Sequence, residues 1–213
     1  MAEGFQPDEV LEFWFPDNGH WTCAERHRDF WAWRMQGGAD ADICARFADL
    51  TLAAARGLLD HWAETPRGRL ALLIVLDQFP RSLWRDTPKA FSQDLKSARL
   101  ALEGLENGHY AALEHGWERQ FYIIAISHCE GPDHLARMEM LKDLTKASIA
   151  GLPPILADFA DTAMAQADRV HAIIARFGRH PHRNPILGRI STPEEEAYIA
   201  SGDFPHVGAV KQV

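Results

Sequence analysis

The feature that most constrains the fold is a run of seven apolar residues at positions 70–76, which reads Leu-Ala-Leu-Leu-Ile-Val-Leu. Thr65 and Pro66 precede this run. The pair is typical of a helix start, because a hydroxyl caps the first N–H groups and proline fits the first helical position. The Ile-Val pair is also compatible with a strand, but the strong cap and the helical neighbours favour a helix. A helix that is apolar on every side must be buried, so we expect other helices to surround it.

Start and stop signals divide the rest of the chain into further helices. Proline follows threonine at 65–66, 87–88 and 192–193, and glycine or proline ends most apolar segments. We expect helices over residues 7–15, 24–35, 40–62, 65–80, 87–107, 117–129, 134–150, 153–177 and 192–202. Paired strands, a flexible linker and a 34-residue repeat are not visible. The sequence therefore predicts an all-α fold, a single domain over residues 1–213, with about nine or ten helices packed as antiparallel hairpins.

Composition excludes several classes of function. The formal net charge is -8, which argues against nucleic-acid or membrane-surface binding, since both need a basic face. No apolar run is long enough for a transmembrane helix, and the N-terminus lacks the features of a secretory signal. Cys23, Cys44 and Cys129 are odd in number and scattered, which favours reduced thiols and a cytoplasmic location. Neither a Cys-x-x-Cys pattern nor a Gly-rich phosphate loop occurs, so we expect no metal and no cofactor.

The stretch at residues 176–189 carries four arginines and two histidines but no acid. Its glycines and prolines predict an ordered loop that ends a long helix and precedes a capped one. Guanidinium groups match carboxylate or phosphate oxygens, so an anion is expected to face this loop. That anion is either a carboxylate of the protein or a ligand. The predicted ligand-binding residues are Arg81, Arg179, His180, His182, Arg183 and Asn184.

Two further stretches place polar groups where core is expected. Asp77 follows the apolar run, and a buried carboxylate must be paired to stay ionised. Glu130 and His128 end a mostly apolar helix but are two residues apart, so they do not share a helix face. Both stretches also have a structural interpretation beside the functional one. Asp77 would form a helix-end ion pair, and His128 would be a capping histidine. The candidate catalytic residues are His128, His182, Asp77 and Glu130; Ser127 and Cys129 lack the motif of an activated nucleophile.

Several strings together resemble the bacterial DUF924 family over about residues 8–205. They are Leu-Glu-Phe-Trp-Phe at 11–15, Leu-Asp-Gln-Phe-Pro-Arg at 76–81, Ser-His-Cys-Glu at 127–130, Phe-Gly-Arg-His-Pro-His-Arg-Asn at 177–184, Leu-Gly-Arg at 187–189 and Ser-Thr-Pro-Glu-Glu at 191–195. The resemblance implies an all-α fold similar to tetratricopeptide-like proteins. It implies no activity and no catalytic residues, because the family's function is unknown. One departure is Cys129, where the family pattern has serine, a stronger hydrogen-bonding group.

Three functional hypotheses remain open. The first is a binding module whose Arg/His-rich pocket takes a small anion or an acidic peptide, with the loop 176–189 covering Asp77 and Glu130. The second is a hydrolase- or transferase-type enzyme, with His128 or His182 as general base, Asp77 or Glu130 orienting it and an arginine stabilising negative charge. The third is a structural or protein-interaction scaffold. Whether Asp77 and Glu130 neutralise the four arginines decides how much charge is left for a ligand.

Overall fold

Helices account for all the regular secondary structure in the computed structural model, which describes residues 4–205. In chain order the α-helices are α1 (Pro7–Trp14), α2 (Ala24–Met35), α3 (Asp40–Arg46), α4 (Ala48–Ala55), α5 (Pro66–Asp77), α6 (Phe79–Leu83), α7 (Asp94–Glu106), α8 (Gly116–His128), α9 (His134–Ala150), α10 (Ala157–Phe177), α11 (Asn184–Leu187) and α12 (Pro193–Ser201). Short 3-10 helices cover His20–Thr22, Asp60–Glu64, Pro88–Phe91, Pro154–Leu156 and Pro181–Arg183. Residues 4–205 contain no strand, so the all-α prediction is confirmed.

The apolar run at 70–76 forms the buried centre of the fold. Its seven residues lie on α5 and have no solvent exposure. The Thr65 hydroxyl accepts a hydrogen bond from the Gly68 N–H at 3.1 Å, as the predicted cap requires. Helix α5 packs against α1, α4, α6, α7 and α8. Because neighbours surround it on every side, this helix needs no polar face, which confirms the prediction of a buried helix rather than a strand.

Several predicted helices are divided in the structure. The segment 40–62 becomes α3, α4 and a 3-10 helix. Phe47, with a φ of -119° and a ψ of 8°, separates α3 from α4, and Gly57, with a φ of 82°, turns the chain just after α4. Pro88 starts a 3-10 helix, and α7 begins only at Asp94. The stretch 176–189, predicted as a loop, contains a 3-10 helix and the four-residue α11. These divisions raise the number of helices above the expected nine or ten without changing the fold class.

Helices α7 to α10 pack in the order in which they follow along the chain. The contacts of α8 with α7 and α9, and of α10 with α9, are among the most extensive in the fold. Short connections between consecutive packed helices make them antiparallel, as the predicted hairpins require. One cluster of buried apolar residues extends from Val10 on α1 to Ile174 on α10.

Among the helices of residues 4–205, none combines the length and the apolar composition that a membrane-spanning segment requires.

A pair of histidines lies within an aromatic part of the core. His20 and His27 are 1% and 0% exposed, and their Nδ1 atoms are 2.9 Å apart. One Nδ1 must therefore donate and the other accept, which requires at least one neutral ring. Phe30 stacks on His20 with ring centroids 4.2 Å apart, and Trp117 lies edge-on to both imidazoles. The pKa of His20 is lowered to about 4, mainly by burial and to a lesser extent by the charge of Arg34. The pKa of His27 is also lowered to about 4, mainly by burial and to a lesser extent by the charge of His20.

The histidine pair should make the fold sensitive to mild acid. In the unfolded chain an imidazole takes up a proton near pH 6.5, whereas His20 and His27 resist protonation until about pH 4 in the fold. Stability is therefore fully present above pH 6.5 and is lost as the pH falls. The expected loss is about 2 kcal/mol for one such histidine between pH 7 and pH 5. Urea unfolding at these two pH values measures it. The double variant His20→Phe/His27→Phe is the comparison, and an equal pH dependence in both proteins would contradict the assignment.

Candidate functional site

Asp77 and His128 meet where the C-terminal ends of α5 and α8 pack together. His128 Nδ1 lies 2.9 Å from Asp77 Oδ1 and 3.1 Å from Oδ2. Gln78 Nε2 donates to Asp77 Oδ2 at 2.5 Å, and Arg81 Nη1 lies 3.4 Å from Oδ1. Arg81 also donates a short hydrogen bond to the Asp77 carbonyl. The carboxylate, only 2% exposed, is thus held by three neighbouring side chains.

The surroundings of Asp77 keep it ionised. Burial alone would raise the pKa of Asp77, but the charges of Arg81 and His128 and the hydrogen bonds from His128 and Gln78 lower it well below its usual range. An ionised Asp77 accepts the hydrogen from His128 Nδ1, so it fixes the tautomer that carries its lone pair on Nε2.

His128 combines a neutral ring with partial exposure. Burial and then the charge of Arg81 lower the pKa of His128, and the opposing charges of Asp77 and Asp94 do not restore it. The side chain is 26% exposed. Its Nε2 has no hydrogen-bond partner within residues 4–205. The imidazole therefore presents an unprotonated nitrogen near neutral pH.

Asp94, the first residue of α7, joins two arginines. Its Oδ1 accepts from Arg81 Nη2 and its Oδ2 from Arg183 Nη1, both at 2.9 Å. Arg183 Nη1 also donates to the His128 carbonyl at 2.9 Å. We call Asp77, Arg81, Asp94, His128 and Arg183 the Asp94 cluster. Two carboxylates balance two guanidinium groups in it, and the neutral imidazole adds no charge.

The arginines of the basic stretch at 176–189 pair mostly with carboxylates other than the predicted Asp77 and Glu130. Glu130 Oε2 accepts from Arg189 at 2.5 Å, and Glu130 Oε1 accepts from the His180 N–H at 2.8 Å. Arg183 binds Asp94 instead. The stretch therefore covers Glu130, as expected, but among residues 4–205 it makes no hydrogen bond to Asp77.

Arg179 is held by the capping residue of the last helix. Its Nε and Nη2 donate to the two oxygens of Glu195 at 2.6 and 2.8 Å, and Nη2 also donates to the Ile190 carbonyl. The hydrogen bond from Arg179 is the largest of the effects that lower the pKa of Glu195 to about 2. Arg176 lies on the surface, 3.9 Å from Glu194. Of the two predicted acids, Glu130 pairs with one of the four arginines, Arg189, and Asp77 pairs with none of them. Asp94, Glu194 and Glu195 pair with the other three.

Side chains near the Asp94 cluster bind the last backbone carbonyls at the C-terminal end of α8. The last carbonyls of a helix have no partner inside it. Arg137 donates to the carbonyls of Ile126 and Cys129, both at 2.8 Å. The rings of His134 and His180 lie 2.9 and 3.2 Å from the Ser127 carbonyl. Much of the polar character of 128–137 and 180–183 therefore serves to cap α8.

A cleft of about 310 Å³ opens beside the Asp94 cluster. Its lining residues are Pro88, Phe91, Ser92, Asp94, Leu95, Cys129, Glu130, Arg183, Leu187 and Arg189. Arg183 is 4% exposed, and its guanidinium carbon lies 4.5 Å from the centre of the Phe91 ring. Its Nε is buried with no hydrogen-bond partner in the described part of the chain, and the same holds for Arg189 Nη1. The cleft thus has apolar walls and two arginines in its lining, and each arginine has one buried N–H donor without a partner among residues 4–205.

The structure brings together only some of the predicted site residues. Arg81, Asp77, His128 and Arg183 meet in the Asp94 cluster, and Glu130 lies beside Arg183 in the cleft wall. The remaining four predicted residues lie outside both the Asp94 cluster and the cleft lining: Arg179, His180, His182 and Asn184.

Those four residues have other contacts. Arg179 binds Glu195. His180 contacts α8, and His182 packs against the rings of His180 and Phe204. Asn184 is fully buried and donates to Ser191.

Sequence reasoning missed Asp94 and the role of Glu195. Asp94 carries no local signal beyond being an acid in the first turn of a helix. Glu195 was recognisable as part of a capping box, Thr192-x-x-Glu195, which the structure contains. A group of three or more His, Cys, Asp or Glu side chains placed to hold a metal ion does not occur among residues 4–205.

Comparison with known proteins shows the family of this chain. A protein of unknown function from Agrobacterium tumefaciens, ATU0120, has a similar solved structure, with a TM-score of 0.69 and 31% sequence identity. The match covers 92% of this chain and 97% of that one. No curated protein matches the chain. Residues 10–203 match the family described as bacterial protein of unknown function, DUF924, and the chain belongs to this family.

Proposed function

We propose that the protein binds a small carboxylate in the cleft beside the Asp94 cluster. The observation that carries this proposal is Arg183, a 4% exposed guanidinium in the cleft wall whose Nε has no partner within residues 4–205. A buried donor without a partner costs about 1–3 kcal/mol. On binding, a shift of the Arg183 side chain turns Nε toward the cleft, where a ligand oxygen accepts from it and recovers this cost. Arg189 supplies a second such donor at Nη1.

The walls of the cleft suit a short apolar group attached to the carboxylate. Pro88, Phe91, Leu95 and Leu187 line it. Because Asp94 and Glu130 already balance the charges of Arg183 and Arg189, the cleft offers hydrogen bonds rather than surplus positive charge. This argues for a singly charged ligand over inorganic phosphate. The volume of about 310 Å³ favours a small molecule over an acidic peptide.

Thermal unfolding in the presence of candidate ligands tests the proposal. Butyrate or hexanoate at about 100 times its Kd should add roughly 2.7 kcal/mol of stability. For a chain of this length that is roughly 5–10 °C in Tm. Acetate, phosphate and a glutamate-rich peptide are the comparison ligands. A shift with phosphate or the peptide alone would contradict the carboxylate assignment, and no shift with any ligand would overturn the proposal.

Two variants locate the binding site. Arg183→Lys keeps a cation beside Asp94 but removes Nε–H, and Arg189→Gln removes the second donor. Each should reduce the ligand-induced shift by at least half, because each removes one of the two unused donors. Arg176→Gln is the matched control, since Arg176 is exposed and 3.9 Å from its nearest carboxylate. Equal shifts in all three variants would place the ligand elsewhere.

A further inference from the structure

The side chains of His128 and Arg81 meet at one carboxylate. Both side chains approach the same oxygen, Asp77 Oδ1, at 2.9 Å from His128 Nδ1 and 3.4 Å from Arg81 Nη1. They are 26% and 22% exposed, whereas Asp77 beneath them is 2% exposed. A neutral imidazole and a guanidinium, both partly exposed, therefore share one buried carboxylate. Capping and ion pairing explain Asp77 and Asp94, but they give no role to His128 Nε2, which has no hydrogen-bond partner among residues 4–205.

We propose that His128 is the general base of a hydrolytic site, with Arg81 beside it, that acts on esters of carboxylic acids. Asp77 is the positioning residue, because its hydrogen bond to Nδ1 sets the ring orientation and leaves the lone pair on Nε2. This assignment is independent of carboxylate binding in the cleft, which uses Arg183 and Arg189.

The nucleophile in this site is water. Ser127 Oγ donates to the Ile124 carbonyl at 2.9 Å, and the buried Cys129 Sγ faces the Glu130 carbonyl at 3.7 Å. Neither side chain forms a hydrogen bond with His128 among the described residues, so neither is activated by it. In the reaction, Nε2 takes a proton from water while the water oxygen attacks the ester carbonyl carbon. The carbonyl electron pair moves to its oxygen beside Arg81. Collapse of this intermediate expels the alkoxide, which takes the proton back from Nε2 and leaves as the alcohol.

The charge of the Asp94 cluster favours an acyl ester over a phosphate ester. Asp77 and Asp94 already balance Arg81 and Arg183. A carbonyl oxygen develops one negative charge in the transition state, which one partly exposed guanidinium can stabilise. A phosphate monoester brings two charges before the reaction starts, and the balanced cluster does not offset them.

Hydrolysis of p-nitrophenyl acetate and p-nitrophenyl butyrate tests the proposal. The protein should release nitrophenolate faster than free imidazole at the same concentration. His128→Gln should lower the rate about 100-fold, which lies at the lower end of general-base effects. His61→Gln is the matched control, because His61 is exposed and precedes the start of α5, whereas Asp77 is at the other end of that helix. The rate of this variant should equal that of the unaltered protein. Equal rates for His128→Gln and His61→Gln, or no turnover above free imidazole, would overturn the proposal.

The pH profile of the unaltered protein gives a test that does not depend on a variant folding. The groups facing His128 are Asp77, Arg81, Asp94 and His180. The rate should rise through a single ionisation below pH 6.5 and stay level above neutrality. A rate that keeps rising with hydroxide concentration would contradict a histidine base. Asp77→Asn should move the inflection to lower pH, since it removes the charge that raises the pKa of His128; an unmoved inflection would remove Asp77 from the positioning role.

Discussion

Replacing Asp94 by alanine should lower the free energy of unfolding by about 3–5 kcal/mol, because it leaves a buried arginine without its carboxylate. Arg183 is 4% exposed, and its only carboxylate contact within residues 4–205 is Asp94. Arg81 would keep Asp77. The expected fall in Tm is roughly 6–20 °C. Equilibrium unfolding in urea measures the change directly.

Two comparisons make the Asp94 prediction specific. Asp60→Ala removes an exposed partner of Lys96 and should cost less than about 1 kcal/mol. The double variant Asp94→Ala/Arg183→Met removes both charges, so it should be less destabilised than the sum of the two single variants. Strict additivity, or a loss below about 1 kcal/mol for Asp94→Ala, would show that the ion pair does not hold this region together.

Shortening a central side chain of α5 should have an effect of similar size. Leu73 has no solvent exposure and lies in the middle of the helix that five others surround. Leu73→Ala is expected to cost about 2–5 kcal/mol, which includes the cavity that the close-packed neighbours cannot fill. The measurement is again the free energy of unfolding in urea.

Leu58 provides the matched control for Leu73. It is 52% exposed, so Leu58→Ala should change the stability by about 0.5 kcal/mol or less. Equal losses at the two positions would mean that α5 is not the close-packed centre of the fold. The stability of the Asp94 cluster depends on α5 as well, because Asp77 is the last residue of this helix.

Local sequence signals were enough to predict the fold class. They were enough to predict only some of the helix boundaries. Thr65 caps α5 and Thr192 caps α12 as expected, because a capping bond spans three residues and is written in the local sequence. The predicted helix at 40–62 is wrong as a single element. Gly57 was compatible with a helix interior at a modest cost, and only the packing of α4 on α5 shows that the chain turns there.

The site shows the same division between local and long-range information. Asp77, His128 and Glu130 could be selected because charged groups next to apolar helix segments need partners. Their partners could not be assigned, since the residues are far apart in sequence. His128 lies 51 positions from Asp77, and Arg183 lies 89 positions from Asp94. The excess of donors at 176–189 suggested spare positive charge, but acids elsewhere in the chain balance it.

By itself the sequence determined the all-α class, the buried α5, the capped starts of α5 and α12 and the polar positions that require pairing; Thr87 makes no side-chain cap. The physical reason is that caps, helical periodicity and apolar runs act within a few residues of each other. Only the tertiary structure decided that Asp94 joins Arg81 to Arg183 and that His128 rather than His182 is bonded to Asp77. It also decided that Arg183 and Arg189, beside a cleft, each keep one buried donor without a partner among residues 4–205. These outcomes depend on how α5, α7, α8 and the segment after α10 approach one another, which is set by the packing of the whole core.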